Sequence, residues 1–570
     1  MLDRMSRISK KQPSVCTPDP LADVEVYHKL AVLGQVLSSC FGPHGRLKQI
    51  HNSVGGHILT TSTSAVLLKA LTLSHPLLKL LAASVLNHVS RFSDCGLFAA
   101  ILSCALVDQA RGLSVESSIV SGVYRRLLGQ CSNYLNQEDC GCKVPVDFGS
   151  SRSLLALARG VITSKPTCML MHREAQHISK QVLQAFLQTI PLNTLGSVTL
   201  GKMVVVPVEG RPVGDTTVLP GLLVDMPEML HLTDVEHLGQ GPLRLALFKV
   251  SLAGDLSKSG EGTLEVDWEA CLEAAILEQL LRLGEQMVQD GVHVFACQRV
   301  VHPVLQQYLK KHGIIVVERL GIALMEPLIR VTGAQAVATF QIPIPVQSYG
   351  QVAGLGVRRF GSRDMLHMLP AGNQDCCTLV LCHRNETALN ELKVACQRAD
   401  HILRLTLKEP WALLGAGCTE THLGAYIKHQ SRIDVSEAVS ELGCSHADYL
   451  LAADAFFRSL DSTARALEHD GQGCLVDLTY GHRWVVPGGT IPITWGAEVG
   501  SCGCGLMHPR GNLDWVPLST EYLPFSPTPP DTGAYPLVLD SFPAKLNALQ
   551  VAVETANLIL ELKYIIEDVN

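Results

Sequence analysis

The sequence lacks any run of about 20 uninterrupted apolar residues, the length that a membrane-spanning helix needs. Its most apolar stretches, 77–86 and 548–560, are interrupted by polar side chains: Lys79, Ser84, Glu554 and Asn557. The first 20 residues are polar and of mixed charge, without the apolar centre of a secretory signal. We therefore expect no membrane insertion and a cytoplasmic location.

Long basic runs are also missing, since runs such as Lys10-Lys11 and Lys310-Lys311 contain only two residues. The 46 Lys and Arg residues are outnumbered by 53 Asp and Glu residues, which gives a formal net charge of −7. A nucleic-acid-binding surface requires clustered positive charge. The composition therefore excludes DNA and RNA as expected partners.

Common catalytic motifs are absent as well. The sequence contains no GxSxG elbow, HExxH helix, Walker loop or dinucleotide-binding fingerprint in its strand-helix context. The 22 histidines show no metalloprotease spacing, and His88, between apolar positions of a helix, is expected to be structural. Hydrolase, protease and dehydrogenase activities are thus not indicated.

The 19 cysteines do not form a regular framework, and we expect them to be reduced and partly buried. Two Cys-Gly-Cys triplets stand out, Cys140/Cys142 and Cys502/Cys504. Zinc sites more often use CxxC spacing with further Cys or His partners at regular intervals. A structural role is the favoured interpretation of both pairs, and metal binding is the alternative.

What the sequence does contain is enough apolar material for several globular domains: 570 residues, 47% of them hydrophobic and 17% charged. Three stretches in the first 140 residues have helical periodicity, and the first of them is expected to stop at Gly42-Pro43. The middle of the chain predicts strand 243–252, a helix with Leu272, Ile276, Leu280, Leu283 and Met287 on one face, strand 292–296, helix 303–311, strand 313–317 and helix 323–330. This alternation is typical of a parallel sheet flanked by helices.

From about residue 390 the pattern is helical again, and it ends with a predicted helix over 545–561. Between 471 and 536 the chain is rich in Gly and Pro and gives no regular pattern. We interpret this stretch as an insertion or a long surface loop.

Five segments, in order, resemble the group II chaperonins, the ring-forming chaperonins of the eukaryotic cytosol and archaea. They are CFGPHGRLK at 40–48, TSTSAVLLK at 61–69, SDCGLF at 93–98, GAGCTE at 415–420 and ALQVAVETA at 548–556. The resemblance implies a multidomain α/β fold with a helical equatorial domain, an intermediate domain and an apical α/β domain. The implied bounds are 1–145 and 405–570 (equatorial), 146–204 and 361–404 (intermediate) and 205–360 (apical).

The resemblance also implies a site for ATP and Mg²⁺, built from Gly42, Gly45, Asp94, Gly96, Gly415 and Gly417. Glycines let backbone N–H groups approach phosphates, and carboxylates hold the metal. Asp94 is the candidate metal ligand and the remnant catalytic residue. For Gly42 and Gly45 a simple helix-stopping turn is the alternative, and for Asp94 the alternative is an N-cap of the helix that follows.

Much of that site is altered in this chain. Thr63-Ser64 stands where the family has Asp-Gly, and Ser93, Cys95 and Leu97 replace two glycines and a threonine. The position of the water-orienting aspartate falls on Cys396 or Arg398, depending on where the gap is placed. Asp400 is close in sequence but lies on a different helical face. Because losing one positioned base costs roughly 10²–10⁴ in rate, we expect a degenerate ATPase, so that ATP and Mg²⁺ are doubtful cofactors.

Segments 93–98 and 407–415 resemble most closely the chaperonin-like branch linked to Bardet–Biedl syndrome. That resemblance implies an assembly factor that does not hydrolyse ATP and acts in cilium biogenesis, in the cytoplasm and at the centrosome or basal body. Its implied partners are other chaperonin-like Bardet–Biedl proteins, subunits of the cytosolic chaperonin and subunits of the Bardet–Biedl coat complex. The alternatives are an active ATP-dependent folding subunit and a centrosomal scaffold. The helices at 268–287 and 303–311 are the candidate client-binding helices, although for Leu272, Ile276 and Leu280 packing against the sheet is the favoured interpretation.

Overall fold

The computed structural model describes residues 14–51, 58–191, 199–227, 230–236, 238, 241–254, 272–372, 376–469, 473–487, 495–508, 513–522, 525–527 and 537–567. The chain divides into two compact units. Unit 1 combines Met1–Ser179 with Val394–Asn570, and unit 2 is Lys180–Lys393. The mixed helix and strand content is that of the α/β multidomain fold expected from the sequence.

The amino-terminal part is mainly helical, with three short pieces of sheet. Its elements are β1 (Val15–Pro18), α1 (Val24–Ser38), β2 (Lys48–His51), β3 (Ile58–Thr61), α2 (Ser64–Ala70), α3 (Pro76–Phe92), α4 (Gly96–Arg111), α5 (Ser117–Asn136), β4 (Lys143–Pro145), α6 (Ser151–Thr163) and α7 (His172–Gln188).

The middle part alternates strands and helices. Its elements are β5 (Lys202–Glu209), β6 (Thr217–Pro220), β7 (Leu222–Asp225), α8 (Leu232–Glu236), β8 (Leu243–Phe248), α9 (Leu272–Gln289), β9 (Val294–Cys297), α10 (Pro303–Lys311), β10 (Ile315–Val317), α11 (Ile322–Thr332), β11 (Gly350–Phe360), β12 (Arg363–Pro370), β13 (Cys376–His383) and α12 (Glu386–Lys408).

The carboxyl-terminal part returns to helices around small sheets. Its elements are β14 (Trp411–Leu414), α13 (Cys418–Ile433), α14 (Val435–Leu442), α15 (His446–Arg465), β15 (Cys474–Asp477), β16 (Arg483–Val485), α16 (Trp495–Glu498), β17 (Trp515–Pro517), β18 (Leu539–Ser541), α17 (Phe542–Glu561) and β19 (Tyr564–Glu567).

The core of unit 1 is built by the helices that apolar periodicity predicts. α17 packs against α3, α4 and α5, so the end of the chain completes a core begun by its first part. The stripe residues Leu77, Leu81, Val85 and Val89 of α3 are all buried, as expected. The two chain ends also meet, because β1 and β19 form an antiparallel pair.

Unit 2 contains a six-stranded sheet in the order β10-β9-β8-β11-β12-β7. The predicted alternation is confirmed from β8 to α11, and β8, β9 and β10 are parallel. The expectation of a parallel sheet is confirmed for these three predicted strands. The sheet continues beyond them with antiparallel strands, because β11 runs antiparallel to both β8 and β12, and β12 runs antiparallel to β7. The connection between β11 and β12, residues 361–362, is too short for the crossover that a parallel pair requires.

The predicted core role of the α9 stripe is confirmed where its side chains are described, since Ile276, Leu280, Leu283 and Met287 are buried. They pack with residues of β9 and α10 on one face of the sheet. The expected helix start at Trp268 and the side chain of Leu272 lie outside the described residues. In α10, Leu305 and Leu309 are buried as well.

The interpretation of 471–536 as irregular is wrong for the residues that the structure describes there. β16, β15 and β17 form an antiparallel three-stranded sheet. We call this sheet, together with the described residues between 473 and 527, the insertion sheet. Trp484 is completely buried and packs edge to face on Trp515, with ring centroids 4.8 Å apart. Val476 and Leu518 join Ala425 and Phe457 of neighbouring helices in one core cluster. Strands of three or four residues are too short to give a recognisable alternation.

No helix within the described ranges combines the length and apolar character that crossing a bilayer requires.

Candidate functional site

The first glycine-rich turn contains a residue, Gly42, in a left-handed backbone conformation that favours glycine. Gly42 has φ +80°, and the N–H of Gly45 donates to its carbonyl oxygen at 3.1 Å. A Cβ atom at Gly42 would lie 2.6 Å from Leu467 Cδ2, and Leu467 also lies 3.2 Å from the corresponding position at Gly417. The structure thus brings Gly42 and Gly417, two predicted site residues, to the same side chain.

The second predicted element, Ser93 to Gly96, is also a left-handed turn, although it has lost its glycines. Ser93 and Cys95 have φ +62° and +58°, a region that costs a residue with a side chain about 1–2 kcal/mol. The N-cap alternative for Asp94 is wrong: α4 begins at Gly96, and its N-cap is Cys95, which forms no side-chain capping hydrogen bond. The turn therefore holds two residues with side chains in a conformation that favours glycine.

Gly96 fits tightly against two buried side chains. A Cβ atom there would lie 2.4 Å from Ser64 Oγ and 2.4 Å from Val89 Cγ2. Ser64 occupies the position where the resemblance expects glycine, and Gly96 occupies one where it expects threonine. The missing side chain at 96 thus makes room for the added side chain at 64.

Two histidines contact this turn, one at its backbone and one at a side chain. His88 is buried, with Nε2 2.8 Å from the Asp94 carbonyl oxygen and Nδ1 2.8 Å from Asn547 Oδ1. The structural role predicted for His88 is therefore confirmed. Ser93 Oγ lies 2.5 Å from His401 Nδ1, and burial lowers the pKa of His401.

A buried lysine lies among the carboxylates around this turn. Lys545 Nζ lies 2.6 Å from Glu420 Oε1 and 3.0 Å from Asp540 Oδ2, and its ammonium group is 4.1 Å from the centre of the Phe98 ring. Burial disfavours the charged form, but the two carboxylates outweigh burial and raise the pKa of Lys545. Asp94 acts electrostatically on the carboxyl group of Asp540. An ammonium group therefore provides the positive charge for these acidic groups.

A second buried lysine interacts with Asp94. Burial lowers the pKa of the Lys165 amine, and the positive charge of Arg398 acts in the same direction. The carboxylate of Asp94 acts in the opposite direction. Arg398 is one of the two positions predicted to replace the water-orienting aspartate. The other, Cys396, is completely buried, and burial raises the pKa of its thiol.

Asp400 does not take over the role of that aspartate. Its Oδ2 accepts a hydrogen bond from Arg404 Nε at 2.7 Å on the same helix, and burial raises the pKa of this carboxyl group. That Asp400 lies on a different helical face from the water-orienting position stays a prediction. The place of a general base is thus taken by a buried thiol or a guanidinium group.

The insertion sheet covers the last glycine-rich turn, Gly415 to Gly417. Arg483 donates from its guanidinium group to the Ala416 carbonyl oxygen at 3.1 Å, and its Cδ lies 3.0 Å from where a Gly417 Cβ would be. A Cβ atom at Gly503 would lie 3.2 Å from the same Ala416 oxygen. Because residue 503 is a glycine, the backbone of the insertion sheet can approach the Ala416 carbonyl group closely and fill the space in front of this turn.

Sequence reasoning missed Lys545, Lys165 and Arg483. A lysine inside the apolar pattern of α17 was a usable signal for Lys545, because a buried lysine requires an acidic partner. Lys165 and Arg483 gave no such signal, since each stands in a polar or irregular stretch. Their contacts depend on segments that are distant in the chain.

Comparison with known proteins shows that the chain is similar to chaperonins over almost its whole length. The profile of the TCP-1/cpn60 chaperonin family matches residues 33–570. The chain is 46% identical over 572 residues to the human protein called molecular chaperone MKKS, covering 99% of this chain and 100% of that protein. Its mouse counterpart is 45% identical over the same shares. Thermosome subunit beta of Methanothermobacter thermautotrophicus is 22% identical over 468 residues, covering 79% of this chain and 80% of the subunit.

Proposed function

Since the chain belongs to the TCP-1/cpn60 chaperonin family, we propose that it acts as a chaperonin-like assembly factor that does not turn over ATP. It binds related chaperonin-like subunits and the cytosolic chaperonin while the Bardet–Biedl coat complex is assembled for cilium biogenesis. In this proposal the protein works in the cytoplasm and at the centrosome or ciliary basal body.

The single observation that carries the proposal is the set of cations around Asp94. Lys165 interacts electrostatically with both Asp94 and Arg398, and Lys545 is bound by Glu420 and Asp540. Cys396 or Arg398 stands where a carboxylate would orient the attacking water. Cations close to these acidic groups repel Mg²⁺ and weaken its binding.

The residues present therefore fit Mg²⁺-nucleotide poorly. The Leu97 side chain has no hydrogen-bond donor for a phosphate, whereas the family has a threonine hydroxyl there. Arg483 of the insertion sheet covers the Gly415–Gly417 turn. Phosphate binding at a glycine-rich turn depends on backbone N–H groups that the ligand can reach. A chaperonin fold without this reaction can still hold other proteins, which is the activity proposed here.

Exposed apolar side chains in unit 2 support a binding role. Ile322, at the start of α11, is 82% exposed, and Ile342 and Val346 are exposed as well. Burying an exposed isoleucine side chain against a partner is favourable by about 1.5–3 kcal/mol. We propose Ile322 as a contact for non-native or partner protein, in addition to the α9 and α10 helices expected from the sequence.

The strand pair β1–β19 supports association with related subunits. Among the described strands, neither of its two edges is paired further, and Val15, Tyr564 and Ile566 are exposed on it. An open edge with apolar side chains is a template for strand addition by another chain. Related chaperonin-like subunits are the proposed donors of such strands.

The first experiment measures ATP binding and hydrolysis by the purified protein, with Asp94→Ala as the control. We expect no hydrolysis above background in either protein. Hydrolysis that Asp94→Ala abolishes would overturn the proposal and identify an active ATP-dependent folding subunit.

The second experiment compares capture of chaperonin-like Bardet–Biedl proteins and of cytosolic chaperonin subunits by wild type, Ile322→Ser and Leu187→Ser. Leu187 is a matched control, because it is an exposed leucine elsewhere in unit 2. We expect only Ile322→Ser to lower capture, at unchanged melting temperature. If wild type captures none of these proteins but still localises to the centrosome, the scaffold alternative replaces the assembly role.

A further inference from the structure

Three cysteines and one histidine meet inside unit 1. Cys418, His482, Cys502 and Cys504 are all buried, and their candidate ligand atoms all lie within 4.8 Å of one another. Cys502 Sγ and Cys504 Sγ are 3.1 Å apart, and Cys504 Sγ lies 3.8 Å from His482 Nδ1. Four soft donors thus converge from three separate segments of the chain.

We propose that these four residues bind one structural zinc ion. Three thiolates and one imidazole form a Cys₃His set, which is a common tetrahedral coordination of structural zinc. With Zn–S bonds of about 2.3 Å, tetrahedral ligand atoms lie about 3.8 Å apart, within the observed spread. Four protein ligands leave no open position for water or substrate, so the site is structural and not catalytic.

The segments that carry the ligands are fixed by their own hydrogen bonds. The Met507 N–H donates to Cys502 Sγ at 3.1 Å, a type of bond that stabilises a metal-bound thiolate. The Gly503 N–H donates to the Arg483 carbonyl oxygen at 2.7 Å, and Cys502 forms an antiparallel bridge with Trp484. Cys418 is the first residue of α13. The donors are therefore positioned before a metal arrives.

The histidine of this group is buried without full hydrogen bonding. His482 is completely buried, and its Nε2 has no hydrogen-bond partner among the described residues. A buried polar atom without a partner costs about 1–3 kcal/mol. Coordination through Nε2 would remove this cost, and coordination through Nδ1 would give the nitrogen nearest Cys504 a strong partner. The neighbouring His422 differs, because its nitrogens lie 2.8 Å from Tyr134 Oη and 2.9 Å from the Tyr480 carbonyl oxygen.

The other Cys-Gly-Cys pair provides an internal comparison. Cys140 Sγ and Cys142 Sγ are 3.5 Å apart and buried, yet in the described part of the chain they join no group of three or more candidate ligands. The expectation that both pairs are structural thiols is therefore replaced, for Cys502 and Cys504, by the proposal of a metal site. This zinc would connect the insertion sheet, which carries three ligands, to the Gly415–Gly417 turn that precedes Cys418.

The test is a metal analysis of the untagged, full-length protein, expressed in zinc-supplemented medium and purified under reducing conditions without chelator. Inductively coupled plasma mass spectrometry is expected to find about one zinc per chain. Cys502→Ser/Cys504→Ser is expected to lose it, and Cys140→Ser/Cys142→Ser to retain it. Because the first variant can fail to fold, wild type is also exchanged with Co²⁺, whose visible spectrum is expected to show thiolate charge transfer and tetrahedral ligand-field bands.

Several results would overturn the proposal. These are wild type without zinc, zinc that persists in folded Cys502→Ser/Cys504→Ser, zinc lost from folded Cys140→Ser/Cys142→Ser, or an octahedral Co²⁺ spectrum. A Cys502–Cys504 disulfide found by mass spectrometry in the reduced preparation would also overturn it. None of these readouts depends on ATP or on partner proteins, so this proposal and the proposed function can fail separately.

Discussion

Gly96 lacks a side chain where Ser64 has gained one: a Cβ atom at position 96 would lie 2.4 Å from Ser64 Oγ. The two positions are 32 residues apart in the sequence (96 − 64) and belong to two different segments of the family resemblance. Each substitution alone looks like loss of a nucleotide-binding feature. Together they preserve close packing between α2 and α4, so the altered site is a repacked core and not a damaged one.

Gly96→Ala is expected to lower the free energy of unfolding by about 1–3 kcal/mol, because overpacking forces neighbouring side chains to move. Adding Ser64→Gly is expected to recover part of this loss, while the clash with Val89 remains. A double-mutant cycle followed by thermal unfolding measures the coupling. Strictly additive effects of the two substitutions would show that the contact is unimportant.

Cys95→Gly is expected to be more stable than Cys95→Ala by about 1 kcal/mol. Both variants remove the thiol, but only alanine keeps a Cβ atom in the left-handed conformation that this turn requires. The comparison of the two melting temperatures isolates the conformational cost from the loss of thiol packing. Equal stability of the two variants would contradict the assignment of strain to position 95.

Lys545→Met is expected to destabilise unit 1 by about 3–5 kcal/mol, because it leaves Glu420 and Asp540 buried without their cation. Burial already raises the pKa of Asp540, so protonation at lower pH neutralises a charge that has lost its partner. A carboxyl group with a raised folded-state pKa favours the folded state at low pH. The difference in unfolding free energy between wild type and Lys545→Met should therefore become smaller as the pH falls.

Denaturant unfolding at several pH values measures this effect. Lys29→Met is the matched control, since Lys29 pairs with Glu25 on an exposed helix face at 2.7 Å. Its removal should change stability by about 0.5 kcal/mol or less. A Lys545 variant that behaves like this control would show that the buried ion pair contributes little.

Asp461 predicts a second pH dependence. Burial raises the pKa of its carboxyl group to about 7, while an unfolded aspartate titrates near 3.9. Between these two values the folded state binds the proton more tightly, so the contribution of Asp461 to stability is largest below about pH 4 and is lost as the pH rises through about 7. Asp461→Asn is expected to remove this slope and to stabilise the protein at pH 8 by a few kcal/mol. An unchanged slope in thermal melts from pH 5 to 8 would exclude Asp461 as its source.

The long helices and the strands of the α/β centre could be predicted because their apolar residues repeat over several turns or fill whole strands. α3, α9 and α17 all lie where periodicity placed them. The insertion sheet could not be predicted in this way, since β15, β16 and β17 contain only three or four residues each. Its stability comes from tertiary burial of Trp484, which has no local signature.

The family resemblance located the turns expected to bind nucleotide, but not the residues that contact them in this chain. Gly42, Asp94 and Gly417 could be found because short sequence motifs around them resemble those of the family. The partners of Lys545 are 5 and 125 residues away, and the four proposed zinc ligands have no regular spacing. Such contacts depend on the tertiary fold, which only a structure provides.

The pairing of the chain ends has a consequence for synthesis on the ribosome. α17 fills the core against α3, α4 and α5, yet it is among the last segments translated. Unit 2 is a continuous segment, whereas the surfaces of α3, α4 and α5 that α17 covers stay open until residues 542–561 have been translated. In that interval the incomplete unit 1 exposes apolar side chains of these helices, the kind of surface that chaperones bind.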